Sequence, residues 1–539
     1  MSQISADFIV VGSGCTGAMA AQTLAEAGEN VLILDGGITD EHYQQLQPQK
    51  NFSALRKTDE EQHHYLLGDK FESLPDNEFG TGAQLTPARQ FLIQHVDKFL
   101  PLQGENFSPM ESLALGGLGG GWGLGCCVFS ENELKRAGLS ADKMNSAYQV
   151  IADRIGINAE DDDARKFTAA HIQHTQPTPP LDPTAGTLLK KYESKKNNLN
   201  QKGFFLGRPA LALLTEEKNN RKPTALRDMD FYDDKEKAAY RPAITIAELR
   251  KKPNVGYQSG WMVLSFSEEE NTVHVHALHL ETKEKKMFSC KKLILASGVL
   301  GTARIVLRSS KNSEQKLPLL CNPYTYLPCI VPSRLGKKMP EQNSGFAQLS
   351  LFHDADGKHA DIAMASIYTY RSLMLFRLLR ETPLNFKDGR IFMQHLLPAL
   401  IIAGIHHPEN YAENRFLQLV KDVTSPTGDQ LHVEYEKMSL RKSIAAREKK
   451  YISVLRKLGA YALKKVQPEN GASIHYAGVL PFSESEKEFT LSPSGKLHGT
   501  KNVFVADGSG FKFLPAKGLT LSLMANAHLV AENAMKSDW

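Results

Sequence analysis

The apolar run Phe8 to Val11 is followed by a glycine-rich turn, an alanine-rich stretch from about Ala18 to Ala27, and a second apolar run at Val31 to Leu34. Short apolar runs bounded by glycine have the pattern of buried strands, and the stretch between them has that of a helix, so Asp7 to Gly37 reads as strand, tight turn, helix, strand. Lys292 to Arg304 repeats the theme as a buried strand turning through small residues into a helix. Near the end, Asn502 to Ser509 forms a buried strand closing on an acid and a glycine, and a helix begins at Leu519 or Thr520 and runs towards Met535.

Between these units a helix-like stretch covers Ser130 to Ile155, and extended segments cover Val255 to Phe266. Val273, Val275 and Ala277 alternate with polar residues as in a half-exposed strand. Strand candidates recur near Ala347 to Phe352 and Ile362 to Tyr370, and residues 311–465 have the texture of a separate layer. The chain has no internal repeat and no low-complexity tract.

The first turn carries GxGxxG in its proper setting. Gly12 permits the sharp turn, Gly14 lets a pyrophosphate approach the backbone, and Gly17 lets the helix pack closely on the sheet. Cys15 and Thr16 belong to the turn, and the unpaired N-terminal amides of the helix that follows suit an anion. Asp35 closes the second strand, where a carboxylate accepts hydrogen bonds from ribose hydroxyls; no arginine follows to favour a 2′-phosphate. The motif specifies a dinucleotide without separating a nicotinamide from a flavin.

A second glycine run, Gly116 to Gly125, contains Gly117, Gly120, Gly121, Trp122 and Gly123. Each glycine would cost about 1 kcal/mol in a helix interior, so the run serves either as a flexible loop or as backbone laid against a large flat cofactor. The tryptophan and the absence of serine favour the cofactor. Val255, Ser297, Gly298, Asp507, Gly508, Leu519 and Thr520 complete the expected cofactor contacts.

Composition narrows the classes further. The chain has 539 residues, 41% hydrophobic and 23% charged, with net charge +4, which excludes disorder, collagen and coiled coil and is too dilute for nucleic-acid binding. Six cysteines without a CxxC pair imply reduced thiols and no structural zinc, and no metal is expected. No export signal is visible at the N-terminus, so the cytoplasm is the expected compartment. The longest apolar run, Leu396 to Ile405, contains Pro398 and falls well short of the ~20 residues that span a bilayer. Arg371 to Arg380 (RSLMLFRLLR) is an arginine-rimmed apolar stretch that either packs on its own core or meets a membrane surface or lipid-linked substrate. The basic run Lys437 to Lys465 reads as a solvated helix face.

Taken in order, GSGCTG with Asp35, LGGLGGGWG, LILASGVLGTARIVLRS, His475 to Gly478, and VFVADGSG before the final helix resemble the glucose-methanol-choline (GMC) oxidoreductases. The resemblance implies an α/β fold. A Rossmann-like FAD-binding domain would be assembled from 1–140, 236–310 and 466–539, and a substrate domain with an antiparallel sheet from 141–235 and 311–465. GGLGGGWG, GFFLGR at 203–208 and AYRPAITIAELR at 239–250 resemble sugar-oxidising members such as pyranose oxidases and polysaccharide-associated relatives. Covalent flavin attachment is not expected, because Gly121 occupies the position of the attaching histidine.

The resemblance makes His475 the active-site histidine, removing a hydroxyl proton while hydride passes to flavin N5. The bland alternative for His475 is a satisfied structural histidine. A second histidine or asparagine usually precedes the final helix; here Gly518 stands there, after Lys517. Lys517 either stabilises alkoxide character as a cationic donor, binds a substrate phosphate, or points to solvent. The expected reaction is oxidation of a secondary alcohol on a small-molecule substrate, a sugar or glycoside that is lipid- or nucleotide-linked or free. The electron acceptor stays open among oxygen, a quinone, a carrier protein and the product. The competing readings are a flavoprotein that keeps FAD without net oxidation and a redox-neutral lyase or isomerase.

Overall fold

The computed structural model describes residues 5–40, 42–73, 85–369, 383–437 and 441–537; the Arg371 to Arg380 stretch lies outside the described residues. Phe8, Ile9 and Val10 are fully buried in the strand Ser5–Val11, at the centre of the largest sheet. Its parallel neighbours run in the order Val255–Gln258, Val31–Leu34, Ser5–Val11, Lys285–Leu295. The far edge of Lys285–Leu295 is shared. Its first half pairs antiparallel with Thr272–His279, which in turn pairs with Trp261–Glu269, and its last three residues pair in parallel with Val503–Val505. Parallel strands covered on both faces need apolar side chains on both faces, which is why these segments appear as unbroken apolar runs.

The helix Cys15–Glu26 starts three residues before its expected position, because Gly14 in extended conformation serves as its N-cap. Ala18, Ala20 and Ala21 are fully buried and let the helix lie close to the sheet and to the final helix Thr520–Lys536. The Ser130 to Ile155 stretch is two helices, Glu131–Ala137 and Ala141–Ile155, separated by Gly138 in the left-handed conformation.

A second sheet is wholly antiparallel, in the order Tyr461–Ala462, Tyr324–Ile330, Leu400–His406, Ile362–Thr369, Leu349–Asp354, Phe204–Gly207. Alternation divides its side chains. Leu327, Ala365, Ile367, Ala403 and Ile405 face one way into an apolar core with Tyr451 and Leu455 of the helix Lys442–Lys457. Tyr324, Tyr326, Ser366, Tyr368, Ile402 and His406 face the other way and wall a cavity. The basic helix Lys442–Lys457 is therefore solvated on one side only.

The core of the parallel sheet also takes residues past 140. Met144, Tyr148, Ile151 and Ile155 belong to the core of the parallel sheet, and the Tyr148 hydroxyl lies 2.7 Å from Ser522 Oγ of the final helix. Leu417, Leu419, Leu431 and Val433, from a four-stranded sheet that residues 311–465 share with Leu102–Glu105, join that same core. Among the described residues no helix is long and apolar enough to cross a membrane, and all six cysteines are free thiols.

Candidate active site

A cavity of about 990 Å³ opens at the carboxyl ends of the parallel strands, where Val11, Leu34, Ala296 and Asp507 line it, and extends to the aromatic face of the antiparallel sheet. Ligands of open α/β sheets bind at this edge. Gly12 has φ +98°, and a Cβ there would stand 2.7 Å from the Ala296 carbonyl oxygen. A Cβ on Gly17 would stand 1.9 Å from the Gly12 carbonyl oxygen, so Gly17 serves helix packing and not the cavity wall. Gly14 is different: the only heavy atom near its Cβ position is the Gly116 carbonyl oxygen at 3.9 Å. A side chain at Gly14 would therefore occupy open space beside the cavity that Gly14 lines.

Three helices begin at this cavity, at Cys15, Val299 and Thr520, and none has a side-chain cap or an acid in its first turn. Their N-terminal amides and the positive ends of their dipoles are left for an anionic ligand. Asp35 accepts hydrogen bonds from Ser13 N–H at 3.1 Å, Ser13 Oγ at 2.7 Å and the Tyr257 hydroxyl at 2.9 Å, while burial pushes its carboxyl upward against them. Ser13 Oγ in turn accepts from Gly116 N–H at 2.8 Å, which pins the second glycine run onto the first. The Asp507 carboxylate accepts from Thr302 Oγ1 at 2.6 Å and Ser509 Oγ at 2.6 Å, joining the last strand to the helix Val299–Ser309.

Gly117, Gly121, Trp122 and Gly123 line the cavity together with Cys15, Thr16, Ser297, Gly298, Gly508, Leu519 and Thr520. The Trp122 ring is held by donation from its Nε1 to the Tyr240 carbonyl at 2.8 Å. Two expected contacts lie elsewhere. Gly120 packs under Leu92, whose Cδ2 would stand 2.8 Å from a Cβ. Val255 heads the outermost parallel strand; the chain turns back at Gly260, donates from Trp261 N–H to the Asp35 carbonyl at 3.0 Å, and gives the cavity Trp261, Met262 and Val263 instead. The assembled cradle, glycine where a side chain would intrude and bare helix starts around it, fits an elongated dinucleotide.

At the other end stands His475. Ile474, immediately before it, is a β-branched residue at φ +59°, a strained conformation of the kind that concentrates at functional sites. The His475 Nδ1 lies 3.0 Å from Asn322 Oδ1. Asn322 Nδ2 donates to the carbonyls of His407 at 2.8 Å and Leu514 at 3.3 Å, which fixes the amide so that its oxygen faces His475. An oxygen can only accept, so the imidazole proton sits on Nδ1 and Nε2 keeps its lone pair. Burial pushes the imidazole down to about 4, leaving it neutral at ordinary pH.

Lys517 does not face this space. Its Nζ lies 2.7 Å from Glu133 Oε2 and donates to the Val128 carbonyl at 3.0 Å, with both charged side chains about 1% exposed. Gly518 lines the cavity, but a Cβ there would stand 2.7 Å from the Gly125 carbonyl oxygen. The sequence reading also missed Tyr324, Tyr326, Tyr368 and His406, which reach the site from strands of the antiparallel sheet. The available signal was the His406, His407, Pro408 sequence ending an apolar run.

The fold, a mixed α/β architecture with several sheets, is shared over nearly the whole chain with solved oxidase structures. Pyridoxine 4-oxidase from Mesorbium loti matches with a TM-score of 0.58 and 12% identity over 98% of each chain. Formate oxidase from Aspergillus oryzae RIB40, in a variant structure concerned with FAD modification, matches with a TM-score of 0.57 and 12% identity over 99% of each chain. No family model matches the sequence, and no curated protein matches it. At 12% identity the likeness is one of fold.

Proposed function

We propose that this chain is a FAD-dependent oxidoreductase of the GMC family that oxidises an alcohol carbon of a small-molecule substrate, with His475 as the base. The observation that carries the reading is that one cavity joins a glycine-lined dinucleotide cradle to an imidazole whose proton is fixed on the nitrogen turned away, towards Asn322. When bound, FAD supplies the acceptor for the hydride leaving the alcohol carbon. The hydroxyl proton passes to His475 Nε2, so the alcohol gives up two electrons and two hydrogens and becomes a carbonyl. Removing that proton as the hydride leaves is worth ~10²–10⁴ in rate.

The cavity also bears on the substrate. Tyr324, Tyr326 and Tyr368 offer flat apolar faces with hydroxyl edges, which suit the C–H faces and hydroxyls of a sugar or glycoside. Leu463, 60% exposed, and Lys464 also line the cavity, and they suit a lipid or phosphate extension of such a ring at a membrane margin. FAD is held without a covalent bond, since Gly121 has no side chain to attach. The test is anaerobic mixing of the purified protein with simple glycosides, nucleotide sugars and lipid-linked sugars. A sugar alcohol that bleaches the oxidised flavin band supports the reading; a protein that purifies without flavin removes it.

A further inference from the structure

We infer that His406 is the second group that grips the substrate hydroxyl, donating from its Nε2 to the oxygen whose proton His475 removes. The inference rests on the reading of this cavity as an alcohol-oxidising site. His406 ends the strand Leu400–His406 on the cavity face, directly opposite Tyr324 on one neighbouring strand and Met364 on the other. Its ring stacks on His475 with centroids 4.7 Å apart and planes 17° apart. Gly404, two residues earlier, leaves the space that the Tyr324 side chain fills; a Cβ there would overlap the tyrosine hydroxyl. The Tyr324 ring is in turn centred 4.3 Å from His406.

The protons assign the roles. His475 presents a lone pair at Nε2, because Asn322 holds the proton on Nδ1. His406 Nδ1 is buried with no hydrogen-bond partner among the described residues. An orphaned buried N–H is rarer in folded proteins than an under-used acceptor, so the His406 proton belongs on Nε2. Stacked rings therefore offer one acceptor and one donor side by side. An alcohol oxygen needs both: it gives its proton to His475 and accepts from His406 as negative charge develops. Burial and the neighbouring ring both push His406 far down, so it stays a neutral donor.

Residues 517 and 518, ahead of the final helix, do not supply that donor. Lys517 is spent on Glu133, and Gly518 has the Gly125 backbone where a side chain would begin. The missing partner of His475 is thus replaced from the antiparallel sheet.

The test uses the flavin-loaded full chain with ¹⁵N-labelled histidine, assigned through His406→Gln and His475→Gln. Ring ¹⁵N–¹H correlations should show His475 protonated on Nδ1 and His406 on Nε2. Trifluoroethanol, an alcohol whose carbon resists hydride loss, should shift both Nε2 signals along one binding curve. A His406 protonated on Nδ1, or an alcohol that moves His475 alone, overturns the inference. In parallel, His406→Phe should reduce its flavin with alcohol ~10²–10³-fold more slowly at unchanged flavin content, and His406→Gln, which keeps an N–H donor, should recover much of the loss. Wild-type rates in His406→Phe overturn it as well. If no alcohol bleaches the wild-type flavin, the oxidation chemistry fails, while the tautomers and the trifluoroethanol titration still judge the histidine pair.

Discussion

Asn322 Oδ1 accepts from His475 Nδ1–H at an N···O distance of 3.0 Å, and the same side chain is anchored through its nitrogen to two carbonyls. Asn322 is thus a positioning residue acting through the imidazole. Asn322→Leu releases the ring to its other tautomer, and the expected result is flavin reduction slowed on the order of 10²-fold with flavin content unchanged. Asn322→Asp, which still accepts at Nδ1, should retain more of the rate. Stopped-flow absorbance measures both.

The Lys517–Glu133 pair is a structural ion pair buried under the Gly125 to Phe129 segment. Lys517→Met alone leaves an unpaired buried carboxylate and should destabilise the protein by about 3–5 kcal/mol in urea titration. The double variant Lys517→Met, Glu133→Gln should lose far less. Equal losses in the single and double variants would contradict the pairing.

Two glycines of the first turn should separate folding from binding. Gly17→Val drives a side chain into the Gly12 carbonyl and should fail to fold. Gly14→Val places its side chain in open space beside the cavity, so the chain should fold with normal circular dichroism but retain flavin at least about tenfold less well through desalting.

The first strand, turn, helix and strand could be read from the sequence because their pattern is local, apolar runs around Gly12, Gly14 and Gly17, even though distant segments such as Ala296 pack against the turn. The donor side of the site could not. Tyr324 meets His406 across an antiparallel pairing of distant segments, and the partner of Lys517 lies 384 residues away. A lone lysine before a helix has no local mark telling substrate contact from ion pair. Val255 misled for a related reason: it heads a parallel strand, but which strand borders the cavity depends on the return at Gly260.

His407 provides a pH test. It is about 1% exposed, both ring nitrogens are buried without partners among the described residues, and burial pushes it down to about 3. The unfolded chain takes up this proton near pH 6.5 while the folded chain refuses it until about 3, so stability falls as pH falls through that window. Replacing the ring by an apolar one removes the penalty. Relative to wild type, His407→Phe should gain about 2 kcal/mol between pH 7 and pH 5 in denaturant titrations. A constant difference across that range would mean that the ring is already protonated or solvated.

The most direct test of the account compares wild type with His475→Ala in anaerobic flavin reduction by the alcohol that bleaches the wild-type protein. The account predicts equal flavin content and reduction slowed ~10²–10⁴-fold at neutral pH. Equal reduction rates in the two proteins would contradict it, because the hydroxyl proton would then be leaving by another route.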